Sequence, residues 1–262
     1  MHSRFAAALI FGILAGPAAA SEVSSLLMRA RWSHEPTGVI AQAVRLLDAN
    51  LDVRPDEKES WMQLGEALAI GNAHSKHASD ASEAWRRAYQ LDPADCHAGA
   101  LAARWAEHGP TPTPVQDLLL HHPQCAEAVY LGALEEGPGS GQRAALLRQS
   151  IAIKSSADAL LALAQGWNLA GQHQTAVAVY TAAAAAPALF PEDWRPDGWI
   201  AVHAHVGLAW SHFSLRHTRQ ARREYKLFLG WFNDPGPWHD LSQAEQRWHD
   251  TLSARFEKAS GK

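Results

Sequence analysis

Hydrophobic positions recur every three or four residues through most of the chain, with Gln, Glu, Arg and Lys between them. This spacing places the apolar side chains on one face of an α-helix. Alternating runs of β-branched and aromatic residues, which would indicate strands, are nearly absent. The pattern therefore predicts an all-α protein built from amphipathic helices.

One stretch joins two such helices with a recognisable spacing. The first helix reads Trp61-x-x-Leu64-Gly65-x-x-Leu68, and the second reads Ala81-x-x-x-Trp85-x-x-Ala88 before Leu91-Asp92-Pro93. We expect the small Gly65 and Ala81 to lie where two antiparallel helices approach closely, and Trp61 and Trp85 to fill the space beside them. Pro93 should end the second helix because proline has no backbone N–H to donate.

The same internal spacing recurs further along the chain. In each copy, a small residue of the first helix is followed by Ala at offset 12, an aromatic residue at offset 16 and an apolar residue at offset 19. Ala164 is followed in this way by Ala176, Tyr180 and Ala183. Ala209 is followed by Ala221, Tyr225 and Phe228. Weaker copies begin at Arg31, Ala102 and Gly132. The Gly132 copy predicts that Ala144, Arg148 and Ile151 face the first helix, and the Ala102 copy is shortened by the proline-rich residues 109–114.

These residues resemble the tetratricopeptide repeat, whose pattern is W-x-x-L-G-x-x-Y on a first helix, A-x-x-x-F on a second and a closing proline. The resemblance extends from about Ser24 to Phe232. It implies a right-handed solenoid of antiparallel helix pairs over residues 21–236, followed by a C-terminal capping helix over residues 237–262. The run from Pro55 to Gly65 is also similar to the repeat domain of the cytochrome c maturation system, which handles unfolded apocytochrome.

The resemblance also implies a concave groove, lined by the first helix of each pair, that binds a protein or peptide. The residues expected to line it are Met62, Glu66, Leu161, Gln165, Asn168, His203, Val206, Trp210 and Phe213. Aromatic anchors beside amide and carboxylate groups suit a peptide or a partner helix. The alternative is that Trp210 and Phe213 simply pack on the neighbouring loop.

An irregular segment, residues 185–199, separates the last two helix pairs. Its three prolines forbid a continuous helix, and its tryptophans, Trp194 and Trp199, would be costly to leave in water. We expect this loop to fold over the last two pairs near Trp210 and Trp194 to contribute to partner binding.

The first 20 residues have the pattern of an export signal. Arg4 supplies the positive charge, residues 5–14 the short apolar run, and residues 18–20 the small-residue cleavage pattern. We expect cleavage after Ala20 and a periplasmic or secreted protein; the alternative is an uncleaved anchor. No later stretch is apolar enough over a sufficient length to span a membrane.

The two cysteines, Cys96 and Cys125, each follow a proline that ends a helix pair. In an oxidising compartment an even pair predicts a disulfide. The spacing of stacked helices, about 8–10 Å, argues against the bond because its Cα atoms must lie within about 7 Å.

Composition and motifs limit the chemistry. Lys plus Arg number 23 against 27 Asp plus Glu, so the basic excess that drives nucleic-acid binding is missing. Six of the 15 histidines form two groups, at 121–122 and 203–217. No H-E-x-x-H, paired C-x-x-C, C-x-x-C-H or G-x-S-x-G motif is present. We therefore expect no catalytic residues, no bound metal and no cofactor, and a scaffold that binds a protein or peptide. The alternatives are a metal-handling or catalytic envelope protein that uses its histidines, and an assembly factor of an envelope, secretion or cytochrome c maturation machine.

Overall fold

A computed structural model of the protein describes residues 17–33, 36–71, 74–106, 115–192, 196–233 and 241–256. Every element of secondary structure among these residues is an α-helix, which confirms the predicted all-α class. The helices are α1 (Pro17–Arg31), α2 (Thr37–Val53), α3 (Lys58–Ile70), α4 (Ala81–Leu91), α5 (Cys96–Arg104), α6 (Val115–His121), α7 (Ala126–Glu135), α8 (Gly141–Ile153), α9 (Ala157–Leu169), α10 (His173–Ala183), α11 (Pro196–Ser214), α12 (Thr218–Phe232) and α13 (Gln243–Phe256).

Consecutive helices pack as antiparallel pairs. Lys58, which begins α3, forms an ion pair with Asp92, just beyond the end of α4, with Nζ and Oδ2 2.9 Å apart. Near the end of α8, the Ser150 hydroxyl donates to the carbonyl of Ala126, the first residue of α7, at 2.8 Å. The start of one helix therefore lies beside the end of the next, as the repeat pattern predicts.

Small residues let the paired helices approach a large aromatic ring. A methyl group added to Gly65 would lie 2.4 Å from Trp85 Nε1, and one added to Gly207 would lie 2.1 Å from the Tyr180 ring. The Trp85 indole also donates to the Met62 carbonyl at 3.2 Å. The expected packing of Gly65 against Trp85 is confirmed. Gly207 of α11 packs against the Tyr180 ring of α10 in the same way.

The two strong later copies of the repeat have the predicted buried faces. The residues at their three offsets are all buried: Ala176, Tyr180, Ala183, Ala221, Tyr225 and Phe228. The helix–helix contacts of α9 with α10 and of α11 with α12 therefore follow the spacing in the sequence.

The prediction for the Gly132 copy was wrong by one position. The buried residues of α8 are Leu147 and Ser150, whereas Arg148 is exposed. The Arg148 guanidinium lies 5.5 Å from the centroid of the Trp167 ring, so its charge stays near water. Gly132 faces the preceding helix, since a methyl group added there would lie 2.6 Å from Leu119 Cδ1 of α6.

The chain divides into two compact units, and the division falls within α6. Unit 1 comprises residues 1–118 and 192–194, and unit 2 comprises residues 119–191 and 195–262. The core of unit 1 is formed by apolar side chains of α1 to α5, among them Leu27, Ile40, Leu47, Leu64 and Ala98. Unit 2 has two such clusters, one joining α9, α10 and α11 and the other joining α11, α12 and α13.

The described part of the irregular loop packs against α7 and α9. Leu189 and Phe190 are fully buried, and the Phe190 ring lies 6.2 Å from the Tyr130 ring. The Leu189 amide donates to the Asp158 carboxylate at 2.6 Å. These contacts fix this part of the loop on α7 and α9, whereas Trp199, at the end of the segment, packs on the same apolar cluster as Trp210. Trp194 lies outside the described residues.

The C-terminal helix covers the last helix pair. One face of α13 is buried and carries Ala244, Glu245, Trp248, Leu252 and Phe256. The Trp248 ring lies nearly parallel to the Trp210 ring of α11, with centroids 5.9 Å apart and planes at 8°. Phe256 meets Phe213 edge-on at 6.2 Å. The predicted capping helix is therefore present and buries the exposed apolar face of α11 and α12.

Candidate binding site

A cleft of about 250 Å³ opens in unit 2. Its walls come from α7, α9 and α11, the first helices of three successive pairs. The first turn of α8 and the residues at and just before the start of α13 complete them. The lining residues are Tyr130, Leu134, Arg143, Asp158, Leu161, Ala162, Gln165, Trp199, His203, Leu241, Ser242 and Glu245.

His203 and Glu245 form a buried pair at this cleft. His203 Nδ1 lies 2.9 Å from Glu245 Oε1, and the two side chains are only 9% and 6% exposed. Glu245 also accepts hydrogen bonds from the amide and the hydroxyl of Ser242, at 2.9 and 2.7 Å. Burial acts to raise the pKa of Glu245, but the attraction of His203 and the hydrogen bonds from His203 and Ser242 outweigh it, so the pKa is lowered. Glu245 is therefore a carboxylate at neutral pH.

The second ring nitrogen of His203 is buried without a hydrogen-bond partner. The Trp199 ring lies beside the imidazole, with centroids 4.5 Å apart. Buried polar atoms are nearly always hydrogen-bonded in folded proteins. Among the described side chains that line the cleft, His203 is the one with a buried polar atom that lacks a partner.

Arg143 brings a positive charge to the cleft. One of its guanidinium N–H groups donates to the Glu136 carbonyl at 3.1 Å. Among the described residues no carboxylate lies within 4 Å of this guanidinium. Burial lowers the pKa of Arg143, but the ordinary pKa of a guanidinium is so high that the side chain remains charged.

Two further polar residues shape the walls. Asp158 is buried and holds the loop by accepting from the Leu189 amide. Gln165 donates to the Ser242 hydroxyl at 2.7 Å, which ties α9 to the segment before α13. These contacts position the walls, beside unused N–H groups of Arg143 and the unpartnered Nε2 of His203.

The structure brings together only some of the residues expected to bind a partner. Leu161, Gln165 and His203 line the cleft. Val206 and Asn168 are buried inside unit 2. Asn168 donates to the Gly207 carbonyl at 3.2 Å and its side-chain oxygen accepts from Ser211 at 2.8 Å, so it joins helices.

Trp210 and Phe213 lie on the expected face of α11, but α13 covers them. They pack on this helix rather than on the neighbouring loop that was the alternative. Both side chains remain partly exposed.

Met62 and Glu66 lie in unit 1 and are each partly buried. Met62 packs on the unit 1 core. Glu66 forms an ion pair with Arg31. Burial raises the pKa of Glu66, and the ion pair with Arg31 offsets only part of that effect.

Sequence reasoning missed most residues of the cleft, among them Tyr130, Arg143, Trp199 and Glu245. A usable signal existed for Glu245, which falls at helical spacing with Trp248 and Leu252 on the apolar face of α13. A carboxylate within an apolar stripe requires a partner, and His203 supplies it. Arg143 had no comparable signal because its role depends on how α8 is oriented toward α9.

The histidines are held by carboxylates of different helices. His203 pairs with Glu245 of α13, and His205 Nδ1 lies 2.9 Å from Glu224 of α12. In the part of the chain that the structure describes, no histidine belongs to a group of three potential metal ligands. Their arrangement therefore gives no positive support to the metal-handling alternative.

Both cysteines, Cys96 and Cys125, are disulfide-bonded, in agreement with the predicted pair. The geometric objection from ordinary helix spacing does not hold for them. Each cysteine begins or precedes a helix, where the chain is not constrained to the distance between helix axes.

None of the described helices combines the length and the apolar character needed to cross a bilayer. This finding is limited to the ranges given above.

Comparisons with known proteins add little to this description. No family model matches the chain, and no curated protein matches it. Solved structures do match; one is described as the crystal structure of MamA protein, at 15% identity over 85% of this chain and 98% of that chain, with a TM-score of 0.31. A likeness this weak carries no argument about a partner or an activity.

Proposed function

We propose that the chain is an exported helical-repeat scaffold that binds a peptide segment of a protein partner in the unit 2 cleft, without catalysis of its own. The observation that carries the proposal is the cleft between three successive first helices, in which apolar walls adjoin donors with unused hydrogen-bonding capacity. Specific binding sites combine these two features.

The size of the cleft favours part of a peptide over a cofactor. Pockets for small organic molecules usually enclose about 300–1,000 Å³, and this cleft encloses about 250 Å³. A side chain or a chain end fits such a volume, while the rest of the peptide can extend along the surface of the first helices.

Two features support export. The first 20 residues have the signal-peptide pattern. The disulfide-bonded cysteines suit an oxidising compartment, because cytosolic thiols are kept reduced. The periplasm or the extracellular space is therefore the proposed location.

Peptide display tests the binding function. A library of random peptides would be selected on the full mature chain, and the affinities of the enriched peptides would be measured by fluorescence anisotropy. Leu134 lines the cleft and is 39% exposed, so Leu134→Asp should leave the fold intact while it weakens binding at least tenfold.

Leu227→Asp is the matched control, because Leu227 is 44% exposed on α12 and lies outside the cleft. It should bind the peptides as the unmodified chain does. If both variants retain full affinity, or if selection enriches no peptide, the proposed site is wrong.

A further inference from the structure

We infer that the unit 2 cleft recognises a carboxylate group that lies next to an apolar side chain. This inference rests on the proposed function and specifies the chemistry of the peptide. The carboxylate can belong to the C-terminus of a chain or to an Asp or Glu side chain, since both present the same two oxygens.

The first observation is the guanidinium of Arg143. Arginine presents several N–H donors in a planar fork that matches a carboxylate. Only one of the hydrogen bonds of this guanidinium is made within the protein, to the Glu136 carbonyl. The side chain is half-buried and lines the cleft without a carboxylate partner in the described residues. A ligand carboxylate would supply the missing counter-charge.

The second observation is the unpartnered Nε2 of His203. Its other nitrogen, Nδ1, lies 2.9 Å from a Glu245 oxygen and is already engaged inside the protein. The Nε2 atom has one hydrogen bond left to make, as a donor or as an acceptor according to the protonation of the ring. A ligand that fills the cleft can supply this partner beside the carboxylate that Arg143 binds.

The acidic groups of the cleft do not serve as the counter-charge for Arg143. Glu245 already accepts from His203 and twice from Ser242. Asp158 accepts from the Leu189 amide and closes the loop. Neither carboxylate is within ion-pair distance of Arg143. The positive charge at the cleft that has no carboxylate partner among the described residues is therefore that of Arg143, and it favours an anionic ligand.

The remaining walls are apolar or aromatic and come from Leu134, Leu161, Trp199 and Leu241. They lie within the same 250 Å³ as the two donors, so the group that carries the carboxylate must be apolar on its other side. A terminal Leu or Phe meets this requirement, and so does an internal Asp or Glu that follows an apolar residue.

The test uses the peptides enriched by display against the full mature chain. Each peptide is synthesised as the free acid, as the C-terminal amide, and with every Asp and Glu replaced by Asn and Gln. A loss of affinity of at least tenfold on amidation identifies the chain end as the ligand. The same loss on the Asn and Gln replacement identifies a side chain, and either result supports the inference.

Peptides that bind equally well in all three forms would overturn the inference while leaving the proposed function standing. Failure to select any peptide would overturn both. The test of carboxylate recognition can therefore fail without contradicting the proposal that the cleft binds a peptide.

Variants of α8 test whether Arg143 is the residue that binds the carboxylate of the peptide. Arg143→Gln should remove most of the difference in affinity between the charged and the neutral peptides, and Arg143→Lys should restore part of it because the charge returns without the fork. Arg148→Gln is the control, since Arg148 lies on the same helix, outside the cleft. If Arg143→Gln weakens charged and neutral peptides equally, Arg143 acts through packing and the inference fails.

Discussion

Asn168 joins three helices through one buried amide. Its side chain lies at the end of α9, and its hydrogen-bond partners are Gly207 and Ser211 of α11 and His173 of α10, whose Nδ1 is 3.0 Å from the amide oxygen. The sequence suggested a residue that faces a partner, but the amide is only 4% exposed. Its role is to satisfy polar groups where the three helices meet.

Replacement of Asn168 by Ala should lower the free energy of unfolding by about 2–3 kcal/mol, because buried partners lose their hydrogen bonds. The measurement is urea denaturation followed by circular dichroism. Asn233→Ala, at an exposed position after α12, should change stability by less than about 0.5 kcal/mol. Equal effects of the two substitutions would contradict the structural role of Asn168.

Gly207 carries a steric prediction. Its replacement by Ala should destabilise unit 2 by about 1–3 kcal/mol, since the added methyl group would lie 2.1 Å from the fully buried Tyr180 ring. Gly166→Ala, on the neighbouring α9, has no atom within 4 Å of the added methyl and should stabilise the helix by up to about 1 kcal/mol. Thermal unfolding of the two variants should therefore shift in opposite directions.

At the scale of elements, α13 is held by one buried ion pair and an aromatic face. The lowered pKa of Glu245 means that its ionised form stabilises the folded state. That contribution is complete at pH values above the ordinary glutamate pKa of 4.5 and is lost as the pH falls through the lowered value in the folded protein. We therefore expect α13 to be less firmly attached at acidic pH.

Glu245→Gln should cost about 1–3 kcal/mol at pH 7, because His203 and Ser242 lose hydrogen bonds to a buried carboxylate. The same substitution should flatten the decline of stability below about pH 4.5. Both effects are measured by urea denaturation at a series of pH values. Glu135→Gln, at an exposed position of α7, should leave the pH profile unchanged; a parallel change in the two variants would sink the assignment to Glu245.

Helix pairing could be predicted from the sequence because it depends on local spacing. The offsets from Ala164 and Ala209 locate buried residues on α10 and α12. The prediction for the Gly132 copy was wrong because Arg148 occupies offset 16, where the pattern has an aromatic residue. The helix is rotated so that Leu147 is buried instead and the Arg148 charge stays in water. Spacing alone cannot show such a rotation, which depends on the cost of burying a guanidinium.

The binding cleft could be predicted only in part. First-helix positions identified Leu161, Gln165 and His203. The same rule chose Trp210 and Phe213, which α13 covers. The path of a chain that returns over an earlier helix depends on contacts between distant residues, and a repeat pattern contains no information about them.

At the scale of the whole molecule, the proposed export has a direct test. The mature protein recovered from the periplasm should begin at Ser21 and should contain no thiol that reacts with iodoacetamide before reduction. N-terminal sequencing and intact-mass measurement check both points. Cleavage there keeps the buried Val23, Leu26 and Leu27 of α1 in the mature chain. A mass that retains the first 20 residues, or two alkylated cysteines, would contradict the assignment.

The proton between His203 and Glu245 has a spectroscopic consequence. It is shared between two side chains that solvent barely reaches, at a nitrogen–oxygen distance of 2.9 Å, so it should exchange slowly enough to give its own NMR resonance far downfield of the amides. The resonance depends on α11 and α13 staying together, and it should move when an anion meets the opposite ring nitrogen. One line in a simple proton spectrum would thus report both the attachment of the last helix and the occupation of the cleft, before any partner has been purified.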